Sequence, residues 1–301
     1  MTQPRRVHPV GHKPRPRWKR YVAWALATIL VPVLVGVLIK IAEKPLEGGT
    51  GTASPRTPDA STSPSSASFT PSAGPPVLID LVRLEPPGAD GDGSWVASDA
   101  IHFGDSELAE LHALPDRSRK QADWLRAHGA VDAWDVVMKV VVRGNSDSSV
   151  AIVGMEAEKS CSAPLRGTAF YDPSAGAPEE NVYIGFNLDD PSSRAQEQGE
   201  DGYEGDYFSG KTVRLAKGES ITFQIEAFTS KSYCEFSLSM ETVSDGKPAT
   251  QVIDNHGSPF RVSTMSGDGN FSSYQALYLG GVAIPDDAWP KEWTEGNPKI
   301  Y

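Results

Sequence analysis

Nineteen consecutive residues without a charge, Tyr21 to Ile39, limit what this chain can become. A helix rises about 1.5 Å per residue, so the run covers about 28 Å, close to the roughly 30 Å hydrocarbon core of a bilayer. The stretch 21–41 is therefore predicted to be a single transmembrane helix with the lipid bilayer as its partner. Pro32 and Gly36 inside it predict a bend. They do not make a small-xxx-small dimerisation face, because position 32 is proline and position 40 is lysine.

Charge is divided unequally on the two sides of this run. Residues 1–20 carry seven Lys or Arg and no acid, whereas residues 77–301 carry 18 basic and 36 acidic side chains, a net of −18. Basic flanks stay in the cytoplasm, so the N-terminus is expected inside and the C-terminal bulk outside the cell membrane. A cleaved signal peptide is disfavoured: its apolar core spans only about 7–15 residues, and the KIAEK that follows here offers no small-residue cleavage site. Arg5 and Arg6 suggest a twin-arginine address, but the VHPVGHK after them lacks the apolar pattern that would support it.

Composition then sets the domain order. The tail 1–20 is too short to bury a core, which leaves no room for a cytoplasmic enzyme or DNA-binding module. Residues 42–76 form a linker; between Gly48 and Pro76, 18 of 29 residues are Ser, Thr or Pro. Such a segment has too little apolar surface to repay the entropy of ordering and is expected to be a disordered stalk. Extended, it would reach about 90 Å, and as a coil roughly 30 Å.

Residues 77–301 read as mainly β. The segments from Asp135 to Gly144, around VYIGFNL, around Ile221 to Ala227, and from Ser232 to Thr242 alternate apolar and polar residues with period two. Between them stand turn signals such as Lys217-Gly218 and Asp245-Gly246. Short alternating strands without long intervening helices predict an antiparallel β-sandwich. Within it, 105–129 is expected to be helical. Ser106 is placed as the cap of a first short helix, and Ser118 with Gln121 as the S-x-x-Q capping box of a second that Gly129 terminates. Near the C-terminus, Trp289, Trp293 and Tyr301 are expected to pack back on the domain as an apolar strap.

Cys161 and Cys234 are the only cysteines, and both fall on the oxidising side of the predicted topology. A disulfide between them closes a loop of about 74 residues, worth roughly 4 kcal/mol as an upper figure in the chain-entropy description. Their spacing resembles that of an immunoglobulin domain. No Trp lies between them, however, and Ser232 stands where the corner Tyr belongs, so only the sandwich survives.

Few residues point to chemistry. IHFGDSEL resembles the G-D-S-L motif of a serine hydrolase family, with Ser106 as nucleophile. Glu107 interrupts the motif and no downstream Asp-x-x-His follows, Asp254 and His256 being two apart, so Asp105 and Ser106 read as the start of a helix. His102, His112, His128 and His256 show no metal-ligand spacing. Asp189, Asp190, Glu200, Asp201, Glu204 and Asp206 form an acidic, glycine-bearing stretch that offers oxygen ligands for Ca²⁺, without EF-hand spacing. The plainer reading is a solvated acidic loop. No catalytic residue or cofactor is assigned, and nucleic acid is excluded as a partner because the negative domain repels phosphate.

As a whole the chain resembles single-pass membrane proteins of actinobacteria that carry an extracytoplasmic β domain on a Ser/Thr/Pro stalk. The resemblance is architectural and implies no activity and no site residue. The expected function is a membrane-anchored binding or scaffolding protein of the cell envelope, engaging an envelope protein or polymer. The alternatives are a cell-wall-directed hydrolase or transferase and the outer sensory subunit of a signalling complex.

Overall fold

The computed structural model describes residues 74–87, 93–172, 183–199, 202–265, 270–280 and 292–301. The basic tail, the apolar run Tyr21–Ile39 and the linker up to residue 73 lie outside them. Among the described residues no helix is long and apolar enough to cross a membrane.

The described chain is mainly β with three short helices. It begins with β1 (Val77–Leu84) and β2 (Trp95–Ala97), followed by α1 (Asp105–His112) and α2 (Arg119–Ala127). Then come β3 (Val131–Ala133), β4 (Asp135–Gly144), β5 (Val150–Ser162), β6 (Thr168–Tyr171), β7 (Tyr183–Asn187), β8 (Ser193–Arg194), β9 (Gln196–Gly199) and β10 (Gly202–Glu204). After α3 (Tyr207–Gly210) follow β11 (Val213–Leu215), β12 (Ser220–Phe228), β13 (Tyr233–Ser244) and β14 (Lys247–Ile253). The last are β15 (Phe260–Ser263), β16 (Ala276–Leu279) and β17 (Thr294–Gly296).

Among the described residues these strands form two sheets. The first runs β1-β4-β12-β7-β9-β10; the second runs β11-β5-β13-β15-β3-β2-β6-β16-β17, with β14 also on β13 and β8 on β5. The expectation of purely antiparallel sheets is corrected here, since β12 pairs β7, β15 pairs β3 and β16 pairs β6 in parallel. The reason lies in connections long enough to return a strand in the same direction; alternation within one strand carries no information about them.

One apolar core takes side chains from both sheets. Val136, Met138, Val140 and Val142 of β4, with Phe223, Ile225 and Ala227 of β12, join Val150 and Ile152 of β5 and Phe236, Leu238 and Met240 of β13. These are the inward positions of the alternating segments. Farther along the second sheet, strands are buried on both faces. Trp95, Phe170 and Tyr278 belong to a core shared with Leu111 of α1 and Leu125 of α2, while Val96, Ala169 and Leu277 enter a separate core.

The sheets exchange the chain at Trp134. Its φ of 67° places a bulky residue in the left-handed region, where strain is tolerated only if surrounding bonds hold it. They do: the Trp134 N–H donates to the Ser263 carbonyl at the end of β15, and its carbonyl accepts the Thr229 N–H just past β12. One residue thus ends the β3 pairing and starts β4. The hairpin at Asp245-Gly246 has φ of 51° and 70°, the pair of positive values that a two-residue type I′ turn requires.

Both helices stop and start for local reasons. At α2, Ser118 accepts the Gln121 N–H, whereas the Gln121 side chain takes the Arg117 N–H, so only half of the expected capping box forms. Past its end, Gly129 has φ of 89°, its N–H donates to the Arg126 carbonyl, and the Ala130 N–H reaches back to Leu125, a Schellman closure. Helix α1 starts one residue before the expected cap. Gly104 occupies the N-cap with its N–H donated to the Glu107 carboxylate at 2.8 Å, and Ser106 sits in the first turn. Trp293 packs as expected, edge-on to Trp95 and Phe170; Tyr301 is half exposed, and Trp289 lies outside the described residues.

Two arginine–carboxylate pairs fasten the helical segment to the second sheet. Arg117 is bidentate to Asp172 at 3.1 and 3.0 Å, and Arg126 to Asp132 at 3.1 and 2.7 Å, with a further bond from Arg126 to the Glu85 carbonyl. Only 4 % of the Asp132 side chain is exposed, so removing its partner leaves a buried charge. Arg126→Met is expected to lower the unfolding free energy by about 3–5 kcal/mol in denaturant titration. Lys217→Ala, which breaks the exposed Lys217–Asp147 pair, is expected to cost under about 1 kcal/mol.

Candidate functional site

Of the six acids offered for Ca²⁺, Asp189, Asp190, Glu204 and Asp206 are described, and each has its own placement. The Asp189 carboxylate accepts the Thr229 hydroxyl at 2.7 Å and the Ser230 N–H and hydroxyl at 2.9 and 2.7 Å. Asp206 accepts the Phe208 N–H at 2.9 Å to start α3 and meets Arg194 at 3.5 Å. Glu204 lies on β10 opposite Glu197, and Glu200 and Asp201 fall outside the described residues. Asp190 offers its main-chain carbonyl to Lys159. Among the described residues no group of three His, Cys, Asp or Glu side chains comes together as a metal site.

A cation does occupy this loop, and it is the protein's own. The Lys159 ammonium donates to the carbonyls of Leu188, at 2.8 Å, and Asp190, and to the Ser193 hydroxyl. Burial pushes the Lys159 pKa down, partly opposed by the nearby Asp190 and Asp189. The oxygens at the start of the acidic stretch therefore turn around an ammonium supplied by β5.

The histidines and the G-D-S-L-like string also have structural placements. His102 meets Glu295 at 2.6 Å, His112 bonds the Trp293 carbonyl at 2.8 Å, and His128 donates to the Trp124 carbonyl at 2.8 Å at the end of α2. His256 adopts a φ of 55° in a turn. Ser106, on the exposed first turn of α1, follows a segment that is not a strand.

A more coherent assembly lies on the outward face of the first sheet. The inward positions of β12 are Phe223, Ile225 and Ala227, so Gln224, Glu226 and Phe228 point the other way. Register places Lys139 beside Gln224, and aligns Val137, Glu226, Gly185 and Gln196 across β4, β12, β7 and β9. Four strands at a spacing of about 4.8 Å make a strip about 14 Å long. Tyr203 of β10, paired with Gln198, folds back over it. A Cβ at Gly185 would stand 2.2 Å from the Tyr203 ring carbons, so glycine is what lets the ring lie on the sheet. The ring stacks on Phe228 at 5.6 Å and 20°, and its hydroxyl donates to Glu226 at 2.6 Å.

Two amide oxygens on this face have no donor among the described residues. They are Gln224 Oε1 and Gln196 Oε1, both shielded from solvent. The strip is a polar surface with the Tyr203 ring lying against Gly185.

Sequence reading missed these residues because it followed the inward set of each strand. Two signals were present: positions 224, 226 and 228 of β12 carry Gln, Glu and Phe in a row, and Gly185 stands between Ile184 and Phe186 in β7, which marks close approach of another group. Set against protein-family models and curated proteins, the chain finds no match in either.

Two carboxylates outside the strip contribute to the acid limb of stability. Burial pushes Asp189 up, but the Ser230 and Thr229 hydroxyls and the Ser230 N–H outweigh it and hold its pKa below the ordinary 3.8. Glu85 is likewise raised by burial and lowered more by Arg83 and Arg119, to below 4.5. With folded pKa values under the unfolded ones, their stabilisation is complete above about pH 5 and is lost as pH falls past 4.5 and 3.8 toward the folded values. The denaturation midpoint is expected to drop between pH 5 and pH 3, and Asp189→Asn to make that drop shallower while lowering the midpoint at pH 7.

Proposed function

We propose that the chain is a membrane-anchored extracytoplasmic binding or scaffolding protein of the cell envelope. Residues 1–20 face the cytoplasm, 21–41 cross the bilayer, 42–76 form the stalk, and 77–301 form a β-sandwich whose outward face engages an envelope component. The two sheets and their shared core support the sandwich reading.

The placement is carried by Cys161 and Cys234. They stand directly opposite each other on β5 and β13 with Cα atoms 4.1 Å apart and sulfurs in bonding contact. Disulfides persist in oxidising compartments, outside the cytosol. Hydropathy and charge asymmetry assign the same side independently, since neither uses the cysteines. A binding role is supported by the strip of Lys139, Gln224, Glu226, Tyr203 and Gln196, which places amides, charges and a ring on one sheet face.

Protease added to intact cells is expected to remove the region beyond the stalk and to leave a fragment containing the first forty residues in the membrane. Protection of the C-terminal half, or release of a soluble product lacking those forty residues, contradicts the placement.

A further inference from the structure

The two halves of the Cys161–Cys234 link stand in unlike surroundings. Cys234 is fully buried and belongs to the apolar core that both sheets share, whereas Cys161 is exposed. The difference follows from how far the partners of β5 reach. On one flank β13 runs opposite it as far as Ser162. On the other, β11 stands opposite 150–152 and β8 opposite 156–157, and among the described residues no strand pairs there with 158–162. Glu158, Ser160 and Ser162 are exposed along this open edge.

Thiol–disulfide exchange is sensitive to such an arrangement. A thiolate attacks one sulfur from the side away from the other, and access decides which sulfur that is. On the far side of Cys234 stands β15, whose Val262 is paired with it. On the far side of Cys161 lies the open edge.

We infer that Cys161–Cys234 is a thiol-exchange site, opened in the folded protein by a dithiol reductant that attacks Cys161. The attack forms a mixed disulfide on Cys161 and expels Cys234, which takes up one proton. The second sulfur of the reductant then displaces Cys161, which takes up the other proton, and the reductant leaves as a disulfide. Two electrons and two protons thus pass to the protein. A monothiol achieves little, because Cys234 stays beside the mixed disulfide and reverses the step. Once reduced, 158–162 keeps β13 on one flank only and has no covalent hold, so this end of β5 loosens together with Lys159 and the Leu188 and Asp190 carbonyls it binds. In an oxidising compartment the link is the resting state, and exchange makes the end of β5 responsive to reductant.

The test uses the oxidised full chain in detergent micelles with dithiothreitol as the probe, and its outcome is independent of membrane placement. Loss of the disulfide is followed by acid quench and maleimide labelling, and the unfolding rate is measured under the same conditions. Reduction is expected to rise in proportion to dithiothreitol and to exceed the unfolding rate about tenfold or more. A rate at or below that of unfolding overturns the inference, because the sulfurs would then be reached only in the unfolded chain. In the reduced chain, hydrogen exchange at 158–162 is expected to quicken about tenfold or more while 236–240 stays protected, and unchanged exchange at 158–162 overturns the loosening. Two variants locate the accessible sulfur, with the unfolding midpoint recorded for each. Cys234→Ala is expected to react with maleimide about a hundredfold faster than Cys161→Ala, and equal reactivity of the folded variants overturns the assignment of Cys161. If either variant fails to fold, the kinetics of the parent chain decide.

Discussion

The pairing of β5 with β13 is the constraint on which the rest of the described structure depends. Twelve residue pairs run from Tyr233 opposite Ser162 to Ser244 opposite Val150, interrupted by one register shift after Glu241. Because side chains alternate strictly, this long ladder commits every second residue of β13 to the shared core, and a slip of one residue would turn Phe236, Leu238 and Met240 to solvent. Cys161 and Cys234 lie near one end and oppose such a slip covalently. From β13 the second sheet then branches, to β14 beyond Leu238 and to β15 before it, and β15 carries the pairing onward to β3 and β2.

The first sheet is positioned by what that ladder leaves uncovered. Its β4 and β12 fill the core with Val and Phe side chains, and their other faces become the only place where those strands can present polar groups. Lys139, Gln224 and Glu226 occur there because period-two alternation demands a non-core residue at each such position. The fold does not specify which. Tyr203 over Gly185 is a choice of a different kind, since a serine or lysine would satisfy an outward position without requiring a glycine on the neighbouring strand.

Much of this was legible in the sequence, and the part that was not has a physical reason. Strands with one buried face, β4, β7, β12 and β13, announce themselves by alternation, and α2 by Ser118 and Gly129. The strands β2, β6 and β16 are buried on both sides, so WVA, TAFY and ALYL show no polar phase from which a strand could be read. Parallel pairing leaves no local trace either. For the candidate site, composition pointed to the acids between Asp189 and Asp206; at the start of that stretch, tertiary contacts give the Asp189 carboxylate two hydroxyls and an N–H and give the Asp190 carbonyl the Lys159 ammonium. The glutamines of the outward face were individually unremarkable and gain meaning only from register.

The account joins a covalent cross-strand link to a proposed location outside the cytosol, and the state of two thiols in the living cell tests that joint most directly. Cells expressing the full chain are quenched in acid, and the denatured protein is treated with a maleimide-polymer reagent before and after reduction. No mass shift before reduction and a shift of two labels after it are expected. Two labels on the unreduced protein would contradict both the link and the location it supports.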